Sequence, residues 1–333
     1  MEDITSPRVR ANFIGWPEII DQVERARRTG ALANGWLITG GEGAGKATFA
    51  FRLARALLAT DTERTQDPLG VDPHSRTFSL VASGGHPDLF VAQREYDEKK
   101  DRYAAEIKVD TIRELTSFLN HTPSMGGWRV AIIDTADDLN RNAANALLKV
   151  LEEPPRRTAI FVLSAAPGRL LATIRSRCRR IELRPVTDQE VAGFLASENA
   201  AHDEEAQRIA AAAKGRPGYA LTLALGDGAA AIDAVEAFIN AAFSGGDVAT
   251  IAHSMSARNA DSLWALFRQM LLDRLASGVI ARAEKGEGRA PSAMIDACER
   301  ISTLFARGEA VNLDRFQMVL AAGRELRASR ATG

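Results

Sequence analysis

The spacing of apolar positions changes once along this chain, near residue 185, and that change divides it. Before that point, short apolar runs alternate with segments whose apolar residues recur every three or four positions. The runs Trp36-Leu37-Ile38-Thr39, Leu89-Phe90-Val91-Ala92, Trp128 to Ile133 and Thr158 to Leu163 predict strands, and Arg179 to Leu183 an edge strand. Between them, Ile19, Ile20, Val23 and Ala26 predict a first helix. Phe49, Ala50, Leu53, Ala54 and Leu57 predict a second over Ala47 to Leu58. A short helix is expected from His74 to Ala82, ended by Gly84-Gly85, and another with Asp110 as N-cap and Ile112, Leu115, Phe118 and Leu119 as its apolar face. A helix over Asn142 to Glu153 is stopped by Pro154-Pro155. Strands alternating with helices predict a parallel, doubly wound α/β sheet, with ligands at the carboxyl ends of its strands.

After Pro185 only helical spacing remains. Thr187-Asp188-Gln189-Glu190 reads as a capping box opening a helix with Val191, Phe194 and Leu195. A second helix spans about Asp203 to Ala213. Gly215-Arg216-Pro217-Gly218 closes it and starts a third through Leu221 and Leu225. Gly226-Asp227-Gly228 is a hinge candidate, followed by amphipathic helices over Ile232 to Phe243, Leu263 to Leu275, Met294 to Phe305 and Leu313 to Leu326.

Composition narrows the function classes. The 333 residues allow two or three domains, and a net charge of −1 gives no global attraction to nucleic acid or membrane. Any DNA contact must come from a local patch. Cys178 and Cys298 lie far apart and in no C-x-x-C pair, so neither a zinc site nor a disulfide framework is expected, which fits a reducing cytosol. The polar start of the chain and the lack of any run of about 18 apolar residues predict a cytoplasmic protein without a membrane segment. The charged run Glu95 to Glu106 reads as a solvated loop or hairpin.

The chemistry concentrates at Gly40-Gly41-Glu42-Gly43-Ala44-Gly45-Lys46, between a predicted strand and a predicted helix. That is the context of a phosphate-binding loop: glycines let backbone N–H groups turn around phosphate oxygens, and the lysine supplies charge. Candidate nucleotide contacts are Gly40, Gly43, Gly45, Lys46, Thr48, Asp134, Ser164 and Arg216, with no protein-held metal site. The loop is incomplete. Ala47 stands where a Ser or Thr hydroxyl would ligate Mg²⁺, and Thr48 is rotated from that position by roughly 100°. Asp134 ends its strand like a magnesium-holding carboxylate, but Thr135 follows where a Glu would orient water. ATP can be a ligand here, weakly held or not hydrolysed. Asp137 and Asp138 read as helix-capping or surface acids, His86 as a turn residue. Ser164 is either a γ-phosphate sensor or a cap, and Arg216 either a nucleotide contact or a surface residue.

Arg175-Ser176-Arg177-Cys178-Arg179-Arg180 places four arginines within six residues. It is either an anion-seeking patch or a solvated basic edge. Cys178 is either activated by these cations or a small buried hydrophobe.

Taken together, Gly40 to Lys46, His86-Pro87-Asp88, Val130 to Asp134, the helix Asn145-Ala146-Leu147-Leu148-Lys149 with Leu151-Glu152-Glu153-Pro154-Pro155, and above all Ser176-Arg177-Cys178 resemble bacterial clamp-loader subunits of the AAA+ class. The match runs over most of residues 8 to 225. The resemblance implies an AAA+, RecA-like P-loop domain over residues 1–184, a helical lid over 185–228 and an all-α collar over 229–333. It implies a ring of subunits, with the gamma/tau and delta subunits, the sliding clamp and primed DNA as partners and no membrane. The altered loop places the chain with non-motor subunits, accessory to the replicative polymerase holoenzyme and not an efficient ATPase alone. The alternatives are an active gamma/tau-like motor and a scaffold without a nucleotide role. In this family the Arg of the Ser-Arg-Cys triplet acts on ATP bound by the adjacent subunit, a role carried over to Arg177. Many relatives carry a four-cysteine zinc module in the region matching residues 59 to 85, where this chain has no cysteine, so no zinc is expected.

Overall fold

In the computed structural model, which describes residues 6–97, 102–125, 127–284 and 290–331, the apolar runs are strands β1 (Gly35–Thr39), β2 (Leu89–Gln93), β5 (Arg129–Asp134), β6 (Thr158–Ser164) and β7 (Arg179–Glu182). They form one parallel sheet in the order β2-β5-β6-β1-β7. β1 and β6 are buried along their whole length and β5 except at Asp134, as expected of strands covered on both faces. β7 alternates only once into the core, at Ile181, as an edge strand does.

Successive side chains leave a strand on opposite faces, so each strand feeds two cores. Trp36, Ile38, Ile132 and Phe161 join Phe49, Leu53 and Leu57 of α2 (Lys46–Leu58) and Val23 of α1 (Pro17–Arg28). Leu37, Ile133, Ile160 and Val162 join Ile112 and Leu115 of α4 (Val109–Asn120), Leu147 and Leu151 of α5 (Arg141–Glu152), and Ile174 of α6 (Ala172–Arg177). The order of strands, the P-loop between β1 and α2, and the helices on both faces make this the α/β class expected.

Several helix starts differ in detail from expectation. α4 begins one residue before Asp110, with Lys108 at the N-cap, and the Asp110 carboxylate accepts instead from Arg113 at 2.8 Å. α5 begins at Arg141, because the Asn140 side chain accepts from the Ala143 N–H at 2.9 Å. The short α3 (Arg76–Ala82) starts after Ser75, whose hydroxyl accepts from Phe78 N–H at 3.1 Å. The charged run forms an antiparallel pair, β3 (Tyr96–Asp97) with β4 (Arg102–Tyr103); its residues 98–101 lie outside the described residues.

The chain divides into two compact units, residues 1–194 with 214–219, and residues 195–213 with 220–333. α7 (Asp188–Ser197) and α9 (Pro217–Leu225) straddle the division. The predicted capping box opens α7: Glu190 N–H donates to Thr187 Oγ1 at 3.2 Å and Thr187 N–H to Glu190 Oε2 at 2.8 Å. The second unit is helical: α8 (Asp203–Ala213), α10 (Gly228–Ser244), α11 (Ala249–Met255), α12 (Asp261–Glu284), α13 (Ala290–Ala310) and α14 (Arg315–Ala331). Its core is aromatic, with Trp264 edge-on to Phe305 at 5.3 Å and Phe238 edge-on to Phe267 at 5.6 Å. Among the described residues no helix is long and apolar enough to cross a membrane.

Candidate functional site

The carboxyl edge of the sheet holds the phosphate loop. Thr39 ends β1 in register with Ser164 of β6, and Asp134 ends β5 beside Gln93 of β2. The loop between Thr39 and α2 needs glycine at Gly43 and Gly45, whose φ angles are 75° and 95°. Gly43 has a second reason: a Cβ there would lie 2.5 Å from Tyr219 Cβ and 2.6 Å from Tyr219 N. Its carbonyl accepts from the N–H groups of Gly218, at 2.8 Å, and Tyr219, at 3.3 Å. Those are N–H groups of the first turn of α9, which have no partner inside their own helix. The start of α9 therefore rests on the phosphate loop.

Lys46 is turned back on its own loop. Its Nζ donates to the carbonyls of Gly40 and Gly41, both at 2.9 Å. Burial pushes the ammonium below its usual range, against the pull of Asp134, Asp137 and Glu42. Asp134 is the counterpart: burial raises its carboxyl, while Lys46 lowers it. Arg216 also comes to the loop. Its side chain stacks over Tyr219, 4.4 Å from the ring centre, and its Cδ lies 3.5 Å from where a Gly41 Cβ would be.

Asp137, expected as a capping or surface acid, has another role. Its carboxylate accepts from Ser164 Oγ at 2.7 Å, Ala165 N at 2.6 Å, Thr135 Oγ1 at 3.2 Å and Ala166 N at 3.3 Å. Ser164 is fully buried and spends its hydroxyl on this carboxylate. Thr135 shares its one hydroxyl proton between the Leu163 carbonyl, at 2.8 Å, and the more distant Asp137. Asp138 pairs with Arg94 at 3.1 Å. Ala47 packs on the apolar core, and Thr48 is half-buried in the first turn of α2.

A magnesium–nucleotide complex can be tested against this donor set. Position 47 offers a methyl group to the core, and Thr135 carries no carboxylate. The residues present do not fit metal-assisted phosphoryl transfer. Among the described residues no group of three or more His, Cys, Asp or Glu could hold a metal ion. His86 is buried in a turn, its Nδ1 accepting from Asp88 N at 3.1 Å, and burial lowers its pKa. Asp88 in turn accepts from the N–H groups of Ser124, at 2.7 Å, and Met125, at 2.9 Å.

The arginine cluster lies at the opposite edge of the sheet. Arg179 pairs with Trp36 in register, and the Arg177 carbonyl is 3.3 Å from where a Gly35 Cβ would be. Arg177 thus sits at the amino end of β1, whereas Lys46 follows its carboxyl end. The length of β1 alone separates the two edges by roughly 13 Å. The four arginines do not form one patch. Arg175 reaches the Pro167 carbonyl at 3.5 Å, Arg179 lies 5.2 Å over the Trp36 ring, and Arg180 is 3.7 Å from Glu182. Arg177 is exposed, with Nη2 2.6 Å from Glu152 Oε1 and Nη1 donating to the Thr173 carbonyl at 3.1 Å. Cys178 points inward, and burial pushes its thiol up to about 11. Its neighbouring cations do not activate it, so of its two readings the buried hydrophobe is the one found.

Reading the sequence brought the loop glycines, Lys46, Asp134 and Arg216 to one place, but it missed Asp137, Glu152 and the Gly218–Tyr219 contact. The acid three positions past a buried strand was a visible signal for Asp137. No local signal marks the other two.

A glycine loop after the first strand, an Asp-ended strand one strand removed from it in the sheet and the sheet order define a P-loop α/β protein of the AAA+ type. Residues 15–187 match the sequence model of the family described as DNA polymerase III, delta subunit. The chain belongs to that family. It is 39% identical over 146 residues to DNA polymerase III subunit delta' of Pseudomonas aeruginosa, covering 44% of this chain and 42% of that protein. It is 36% identical over 187 residues to subunit delta' of Escherichia coli, covering 56% and 52%. To subunit tau of Escherichia coli it is 30% identical over 243 residues, covering 70% and 36%. The chain spans about half the length of the curated delta' relatives it matches.

Proposed function

We propose that this chain is a largely non-motor, delta-prime-type subunit of a DNA polymerase III clamp loader. It would help load the sliding clamp on primed DNA, in the cytoplasm, together with gamma/tau and delta subunits. In that assembly Arg177 acts in trans as an arginine finger on ATP held by the neighbouring subunit. The observation that carries the reading is the placement of Arg177: exposed, and at the end of β1 away from this chain's own loop. A guanidinium there is too far from the loop of its own chain to serve it, which supports a role on a neighbour's ATP. Identity is higher to the delta' relatives than to tau, at 39% and 36% against 30%, which supports this type of subunit. Its α/β domain is taken as residues 1–184, the lid as 185–228 and the oligomerising collar as 229–333.

ATP at the chain's own loop would be held weakly and left intact, in contact with Gly40, Gly43, Gly45, Lys46, Thr48 and Arg216, beside Asp134 and Ser164. The motor reading draws on Lys46 and its glycines, which are all in place; Ala47 and Thr135 count against it.

The test is steady-state ATPase of the reconstituted clamp loader with clamp and primed DNA, comparing wild type with Arg177→Ala in this chain alone. A loss of roughly 10³-fold with assembly intact is expected, the scale of a finger supplied in trans. Unchanged turnover would reduce Arg177 to a basic-edge residue and favour a scaffold. Turnover by the isolated chain would restore the motor reading.

A further inference from the structure

Of the four arginines around Cys178, Arg177 is the one whose guanidinium is held by a carboxylate from a different helix. Glu152 is the last residue of α5, and Arg177 the last of α6. Their side chains meet at 2.6 Å, while the Thr173 carbonyl accepts from the other terminal nitrogen at 3.1 Å. The backbone behind the pair is fixed. α5 ends at Pro154-Pro155, Leu151 and Ile174 are buried in one core, and the Arg177 carbonyl lies against Gly35 of β1.

Glu152 has no evident purpose within its own helix. An acid in the last turn faces the negative end of the helix dipole, which favours cations there. Nor does the ion pair add much to folding, since Glu152 is 48% and Arg177 34% exposed at the side chain. What the pair does accomplish is orientation. An exposed arginine samples many rotamers, and holding its planar head at both terminal nitrogens selects one of them. A guanidinium carries five N–H donors, and these two contacts leave others for a further acceptor.

We propose that Glu152 is the positioning residue of Arg177, holding the guanidinium in the orientation in which it meets the phosphoryl group on a neighbouring subunit. This rests on the trans role of Arg177 proposed above. Glu152 itself touches no nucleotide. It sets the direction of the cation before the subunits meet, so that less rotamer freedom is lost in reaching the transition state. Its effect therefore falls on kcat for ATP and not on KM.

The reconstituted clamp loader, with clamp and primed DNA, tests this with Glu152→Ala, Glu152→Gln, Arg177→Ala and the double variant Glu152→Ala/Arg177→Ala. Size-exclusion chromatography and thermal unfolding check assembly and folding. Glu152→Ala is expected to lower kcat roughly tenfold at unchanged KM. Glu152→Gln, which keeps an acceptor at the same reach without the charge, should recover part of that loss. The double variant should be no slower than Arg177→Ala alone, because a positioning residue has nothing to position once the arginine is gone. Wild-type or faster turnover for Glu152→Ala would overturn the proposal. So would a double variant slowed by the product of the two single losses, while the finger reading stood. Unchanged turnover in Arg177→Ala would instead remove the finger reading, and this proposal with it.

Discussion

The two ends of β1 carry the two cations proposed to meet phosphate, Lys46 and Arg177, and they are built in opposite senses. At the carboxyl end, Lys46 is folded onto the Gly40 and Gly41 carbonyls, the Gly43 carbonyl is covered by the first turn of α9, Ser164 spends its hydroxyl on Asp137, and Thr135 shares its own between the Leu163 carbonyl and Asp137. At the amino end, Arg177 stands at the surface, steadied by one carboxylate and one carbonyl. A P-loop shape does not by itself make a P-loop function. What decides is where the donors point, and here Lys46 is turned onto its own loop while Arg177 stands exposed at the surface.

The sharpest way to break this comparison is to remove each cation in the same assay. In the assembled clamp loader, Lys46→Ala in this chain should leave ATP turnover within about twofold of wild type. Arg177→Ala should lower it roughly 10³-fold. Equal losses would show that the inner end contributes to turnover after all, and the contrast drawn from the geometry would collapse.

The next test strikes the inner end alone. Asp137→Ala removes one acceptor from four donors, of which Ser164 Oγ belongs to a fully buried residue. Leaving buried donors unsatisfied costs about 1–3 kcal/mol each, and the exposed Ala165 N–H can turn to water, so a net loss of roughly 2–3 kcal/mol is expected. Urea unfolding followed by the fluorescence of Trp16, Trp36 and Trp128 would read it, against Trp264 in the helical unit. A variant as stable as wild type would mean that the hydroxyls find other partners and that the inner end is held by packing.

How much of this was legible beforehand follows from the range of each interaction. The strands were legible because a parallel sheet buried on both faces writes itself as continuous apolar runs, as in Val130 to Ile133 and Thr158 to Leu163. The α7 capping box was legible because its partners, Thr187 and Glu190, are three residues apart. The helix α11 was not, since no glycine or proline stops it, whereas the equally short α3 is followed by Gly84-Gly85. The role of Asp137 depends on Ser164, 27 positions away, and that of Glu152 on Arg177, 25 positions away. Nothing in the spacing of either acid tells which strand or helix end will be brought beside it. The Gly43 contact with Tyr219 is longer in range still. The resemblance supplied Arg177, but its neighbours had to come from the fold.

The smallest expected effect concerns Cys178, which lies between Arg177 and Arg179 yet belongs to the inner side of the comparison. Surrounding arginines lower a thiol's pKa only when they share its environment, and here the sulfur is buried among Leu147, Leu151 and Ile174 while the guanidinium groups point elsewhere. With the thiol pushed up to about 11, only about one molecule in a thousand carries the thiolate at pH 8. Iodoacetamide should therefore modify Cys178 far more slowly in the native chain than in urea. Cys298, half-buried and also shifted upward, should react first. A Cys298→Ser variant isolates the slower site. Labelling of Cys178 at the unfolded rate would mean that β7 opens readily at the sheet edge. Arg177 would then ride on a mobile strand, and a rigid, pre-aimed guanidinium could no longer be what sets the outer end apart from the inner one.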